Sequence, residues 1–183
     1  MARLEPLDLT ALSPEQKEVA DAIMAGPRGG LRGPFEAWLR SPVLADRGQR
    51  LGEFCRFHTS LPKHLSEFAI ILTGKHWKAQ YEFFAHARMA LEAGLPRETV
   101  EAVRTGGTPA FRDDAERAVY TFVTEYFATN RVSDATYQQA LAALGGERGV
   151  VDLIGIVGYY GLVSMTLNVF DVGLPPGEPL PLA

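Results

Sequence analysis

The chain has 183 residues, 46% of them hydrophobic and 22% charged, a length and balance that suit one globular domain with its own core. A formal charge of −4 and scattered basic residues exclude the electrostatic footprint of a nucleic-acid or anionic-lipid binder. The single cysteine, Cys55, excludes an internal disulfide framework and any paired-cysteine redox or zinc site within the chain, and a buried or idle thiol in a cytoplasmic protein is the plain expectation.

Taken in order, the N-terminal MARLEPLDLT lacks the apolar core of a secretory signal. Ser13-Pro14-Glu15-Gln16 then reads as a helix start, with Ser13 as N-cap, Pro14 at the first helical position and Gln16 reaching back in a capping box. That helix runs to about Ala25. Gly26 to Phe35 is too rich in glycine and proline to be regular. A phosphate cradle would need a preceding strand and a following Gly-Lys-Ser/Thr, so the segment reads as a loop folded over a neighbouring surface.

Ser41-Pro42 repeats the cap signal, and Val43, Leu44, Leu51, Phe54, Cys55 and Phe57 follow at helical spacing to about His58. Leu61-Pro62 breaks the chain before a long stretch, Leu65 to Leu91. Gly94 ends that stretch, and Pro96 starts a helix that reaches Arg104 and stops at Gly106-Gly107. Asp113 or Asp114 caps a longer helix with an apolar stripe of Ala118, Val119, Phe122, Val123, Tyr126 and Phe127, ended by Asn130. Ser133 caps the next, to Leu144, before Gly145-Gly146. The last helix, about Arg148 to Phe170, leads into a proline-rich tail, 173–183, expected to lie extended on a surface.

No segment alternates with period two, and every long apolar run carries helix punctuation, so an all-α fold is expected with a core of about 33–172. Gly149 to Val169 is long enough to cross a bilayer. Its four glycines, with Ser164, Thr166 and Asn168 and no basic cluster after them, favour a buried core helix instead. Setting Glu67 against Asp152 aligns SEFAIILTGKHWKAQYEFFAH with VDLIGIVGYYGLVSMTLNVFD, each preceded by a Ser-capped helix. This pattern predicts two similar helical hairpins packed face to face. Gly155, Gly158 and Gly161 then give the last helix a bare side, expected to be buried against the repeat partner or another subunit.

Leu65 to Leu91 concentrates the candidate chemistry. Glu67, His76, Trp77, Gln80, Tyr81, Glu82 and His86 are interleaved with Phe68, Ile70, Ile71, Leu72, Phe83, Phe84 and Met89. Glu82 and His86 are four apart and share a helix face. A carboxylate beside an imidazole favours the charged ring and can orient it for proton transfer, although the same spacing also makes a plain surface ion pair. Glu67 lies nineteen residues before His86, about 28 Å along a straight helix at about 1.5 Å per residue. The two can meet only if the helix breaks near Thr73-Gly74 or a second subunit supplies one of them. Otherwise Glu67 is a surface residue or stabilises a first helical turn. His76, Glu82 and His86 lack metal-site spacing, and His58 and His64 lie on earlier segments. No local signature supplies Cys55 with an activating base.

The order Glu67, Tyr81, His86 on a helical hairpin resembles the carboxymuconolactone decarboxylase and alkylhydroperoxidase D superfamily. Its peroxidases carry a glutamate and then Cys-x-Tyr-Cys-x-x-x-His. Laid on this chain, that motif places Ala79 and Glu82 where the two thiols stand, so thiolate attack and disulfide closure have no residues here. Gly33-Pro34-Phe35, Gln80-Tyr81-Glu82, Ala93-Gly94-Leu95 and Gly158-Tyr159-Tyr160 extend the likeness to the thiol-free, decarboxylase-like branch, over roughly Gly33 to Pro176.

The resemblance implies a cofactor-free lyase, without a metal, acting on a small lactone or carboxylic acid. In that reading His86 donates or accepts the proton, Glu67 and Glu82 set its charge and orientation, and Tyr81 bonds a substrate oxygen. His76, Trp77, Gln80, Pro34 and Phe35 line the pocket. The implied partners are a small-molecule substrate and further copies of the chain, as dimer, trimer or hexamer, with neither nucleic acid nor membrane. A redox protein of the same fold and a non-catalytic oligomeric module are the alternatives.

Overall fold

The computed structural model describes residues 3–27 and 29–182. The first two residues of the N-terminal stretch, Arg28 of the glycine-rich loop and the final Ala183 of the tail lie outside the described residues. The described residues form helices and connecting segments without a strand: α1 (Pro14–Ala25), α2 (Phe35–Trp38), α3 (Pro42–Phe57), α4 (Lys63–His76), α5 (Gln80–Glu92), α6 (Arg97–Thr105), α7 (Asp114–Thr129), α8 (Asp134–Ala143) and α9 (Glu147–Val169).

Most boundaries follow from the caps in the sequence. Ser13 accepts from the Gln16 backbone and Gln16 returns the bond, a complete capping box. Asp113 and Ser133 accept from the backbones of Glu116 and Thr136 and open α7 and α8. Two starts differ in detail. Ser41 makes no side-chain cap, and α3 begins on its first-turn proline alone. Pro96 sits at the N-cap with an extended ψ of 143°, so α6 begins one residue later than expected. The single turn α2 was not anticipated. It forms at the end of the glycine-rich loop because Phe35, Ala37 and Trp38 are buried together, and Trp38 Nε1 donates to Thr166 Oγ1 on α9 at 3.0 Å.

At the centre α4 packs against α5, α7 and α9, and ten of its fourteen residues are buried. α9 lies alongside as a core helix with 67% of its most apolar stretch buried. The stretches aligned by the internal repeat thus pack on each other, but they differ in course. The first bends between α4 and α5, while α9 runs unbroken for 23 residues.

The bend falls later than Thr73-Gly74. α4 continues through Gly74 to His76, and the chain turns at Trp77, Lys78 and Ala79, with Lys78 in the left-handed region at φ 51°. The Ala79 N–H donates back to the Gly74 carbonyl at 2.9 Å and closes the turn. Gly74 serves packing instead: a Cβ there would stand 3.4 Å from the Phe83 nitrogen, so its bare backbone lets α5 lie close against α4. The three glycines of α9 likewise do not form one bare side. A spacing of three drifts by about 60° per step against the helical turn. Accordingly a Cβ on Gly155 would approach Cys55 Sγ at 4.0 Å, one on Gly161 would approach Trp77 Nε1 at 3.5 Å, and Gly158 faces open space.

Beyond α9 the proline-rich tail runs back to the α4–α5 corner. Gln80 holds it in both directions, its Nε2 donating to the Leu182 carbonyl at 2.9 Å and its Oε1 accepting the Leu182 N–H at 3.0 Å. Arg104 Nη1 donates to the Pro181 carbonyl, and the Leu182 side chain is buried.

Candidate active site

Folding α5 back on α4 brings Glu67 and His86 together within one subunit. Glu67 projects from the second turn of α4 into the core and is fully buried, where a lone carboxylate would be costly. Two partners offset that cost: Lys63, one turn earlier, places Nζ 2.7 Å from Oε1, and His86 Nδ1 lies 2.6 Å from Oε2. Burial pushes the Glu67 carboxyl up, but the charge and hydrogen bond of His86, followed by those of Lys63, outweigh it and hold the group at about 2. Glu67 is thus an anion in the core, neither a surface residue nor a first-turn cap.

The other ring nitrogen of His86 faces Glu82, Nε2 to Oε1 at 3.1 Å, across one turn of α5. Both residues are buried, so this pair is not the solvated surface bridge that the spacing also allowed. Each ring nitrogen thus faces one carboxylate oxygen, and the two contacts together fix the orientation of the ring. Tyr160 of α9 packs edge-on against it, with centroids 4.9 Å apart and planes at 74°. The result is a line of polar side chains that starts at the exposed Lys63 amine and runs through the buried Glu67, His86 and Glu82, from α4 to α5.

Its far end opens into a cavity of about 170 Å³. Glu82 and His86 form part of the wall, with Tyr81, Arg56 and Met89; the Gly33-Pro34-Phe35 segment and Tyr159, Tyr160 and Val163 close the rest. A volume of this order accommodates about one six-membered ring. Gly33 turns the loop toward the site at φ 71°, a conformation suited to glycine. Burial raises the Tyr81 hydroxyl pKa, the Glu82 charge adds to it, and Arg32 and a backbone hydrogen bond from Gly33 oppose the shift. Tyr81 therefore keeps its proton and remains a hydrogen-bond donor at neutral pH.

Of the residues expected around the pocket, Pro34 and Phe35 line it, but His76, Trp77 and Gln80 do not. These three belong to the corner between α4 and α5, which occurs later in the chain than Gly74 and turns them away. His76 stacks on Phe127 of α7, centroids 3.9 Å apart, and burial lowers its pKa. Trp77 is half-exposed, and its carbonyl accepts from Asn168 Nδ2 at 2.7 Å. Gln80 is occupied by the tail. Conversely, sequence reasoning missed Lys63 and Arg56. Lys63 carried a usable signal, a lysine four residues before a glutamate; Arg56 carried none, because it reaches the cavity from the end of α3.

Among the described residues no three His, Cys, Asp or Glu side chains are grouped to hold a metal ion. Cys55 is fully buried beneath α9, away from the cavity wall.

No family model matches the chain, and no curated protein matches it by sequence. Its structure is similar to a crystal structure described as the alkylhydroperoxidase AhpD core of an uncharacterized peroxidase-related protein from Ralstonia eutropha. The two share 13% sequence identity with a TM-score of 0.77, over 96% of this chain and 93% of that one. The all-helical arrangement with α4 and α9 at its centre is therefore the fold of that alkylhydroperoxidase AhpD core.

Proposed function

We propose that the chain is a cofactor-free lyase of the carboxymuconolactone decarboxylase type, acting by proton transfer on a small lactone or carboxylic acid. The observation that carries this reading is His86 held between Glu67 and Glu82 at the wall of a ring-sized cavity. In the reaction the bond from carbon to carboxylate breaks, and its electron pair moves into a conjugated carbonyl of the substrate. Carbon dioxide leaves, and a proton is delivered to the carbon. His86 supplies that proton, Glu82 exchanges it at the cavity side, and Glu67 fixes the ring from behind. Tyr81 donates to the carbonyl oxygen that takes up charge. The apolar wall of Phe35, Tyr159 and Val163 keeps water from the departing group.

The experiment is a screen of lactones and small aromatic-pathway acids for carbon dioxide release, repeated with His86→Gln on any substrate found. Turnover should fall by about 10²- to 10⁴-fold; undiminished turnover in H86Q removes the assignment. A thiol peroxidase mechanism has less to support it, since Ala79 and Glu82 stand at the thiol positions and Cys55 is buried. Peroxidase activity abolished by Cys55→Ser would restore it.

Cytoplasmic location and self-association belong to the same proposal. Val43 and Leu51 of α3 and Val151, Ile154 and Val169 of α9 are exposed apolar residues that a homo-oligomer could cover. Sedimentation across a concentration range tests for it.

A further inference from the structure

Arg56 is the anomaly of the cavity. Arg104 and Arg112 illustrate how other arginines of the chain are served, each bonded to a nearby carboxylate, Glu101 and Glu116. Arg56 has no carboxylate within ion-pair distance among the described residues. Among the described residues its Nε is buried without a hydrogen-bond partner, and its Nη2 donates to Met89 Sδ at 3.1 Å, a weak acceptor. Its guanidinium carbon stands 5.2 Å from the centre of the Phe57 ring. Arg56 as a whole is part-buried, but a guanidinium Nε held away from water without an oxygen acceptor is costly in the empty protein. It is also the group best shaped to take a carboxylate through two parallel N–H donors.

We infer that Arg56 is the specificity-determining residue of the His86 cavity, the one that seats an anionic carboxylate of the ligand on Nε and Nη2 in place of the Met89 thioether. Met89 is unbranched and lines the same cavity, so it can swing aside without repacking the core. Arg32, exposed and also lining the cavity, adds positive charge for an incoming anion. Across the cavity Glu82 repels a carboxylate placed beside it, which directs the acid that the ligand retains toward Arg56 and leaves the departing one, on the carbon that His86 protonates, in the less favourable position. Pairing a guanidinium with the carboxylate that departs would stabilise the charge that the reaction removes. The seated group is therefore one the reaction keeps.

This inference rests on the cavity being the substrate site of the proposed lyase, and binding measurements separate the two. Benzoate, with benzamide as its neutral isostere, is titrated calorimetrically into the wild-type chain and into Arg56→Gln, Arg56→Lys and His86→Gln, with thermal midpoints to establish folding. Wild type should bind benzoate at least tenfold more tightly than benzamide. R56Q should lose that preference, R56K should retain part of it, and H86Q should keep it. Equal affinity for acid and amide, unchanged benzoate binding in R56Q, or no benzoate binding at tens of millimolar overturns the role of Arg56. Should R56Q fail to fold, the acid-to-amide ratio of wild type and of R56K decides the matter. Loss of the lyase reading shows separately, as undiminished turnover in H86Q with the Arg56-dependent preference intact.

Discussion

His86 Nδ1 and Glu67 Oε2 lie 2.6 Å apart although nineteen residues separate them in the chain. That contact exists because the helical stretch turns back at Lys78, and it buries the Glu67 anion against His86, with the Lys63 amine one turn earlier on α4. Glu67→Ala should destabilise the fold by about 1 to 3 kcal/mol, the cost of leaving the buried His86 Nδ1 without its partner, while the exposed Lys63 amine turns to water. Denaturant titration at neutral pH measures it.

The same pair sets an acid dependence. The folded Glu67 carboxyl sits at about 2, below its ordinary value of 4.5, so the folded state binds that proton less readily than the unfolded chain. Its contribution should be fully present above pH 4.5, fade as the pH falls, and be gone below about 2. Unfolding free energies measured from pH 6 to pH 2 should therefore fall less steeply in Glu67→Gln than in wild type. Parallel curves would mean that the pair carries no such linkage.

Glu82 tests whether the cavity-side carboxylate takes part in proton exchange. Glu82→Gln keeps the size of the side chain and a hydrogen-bonding oxygen for His86, so the thermal midpoint should change little. Turnover on a substrate from the screen should nevertheless drop by at least about tenfold, with its pH profile altered.

At the start of α9, a Cβ built on Gly149 would collide with the Leu144 carbonyl at the end of α8. Gly149→Ala must therefore push the α8–α9 junction apart, at a cost of about 3 kcal/mol or more. A thermal midpoint within a degree or two of wild type would show that the junction gives way freely.

Gln80 tests the tail. Gln80→Ala removes both hydrogen bonds to Leu182, each contributing about 1 kcal/mol net. Amide exchange at residues 77–82 should quicken in that variant while α7 and α8 stay protected.

The sequence carried the helices and their order well where a side chain caps locally, as at Ser13, Asp113 and Ser133. It also carried the demand that Glu67 and His86 meet only through a break. The position of that break was misread because Gly74 looks like a breaker and Lys78 does not. The glycine is used for the close approach of Phe83, and the lysine takes the left-handed conformation that its residue type rarely signals. That shift explains why His76, Trp77 and Gln80 were expected in the pocket and lie at the corner instead. Arg56 and α2 were illegible for another reason. Their positions depend on tertiary packing between segments far apart in the chain, and no local pattern encodes it.

The bond between Gln80 and Leu182 also orders events in time. During synthesis α4 and α5 emerge long before residues 181 and 182, so the corner beneath the site must wait, with the Gln80 amide served by water, until α9 has followed and the tail has come round. A ribosome stalled just after α9 would hold a nascent chain with every helix of the site already made and its corner unlatched.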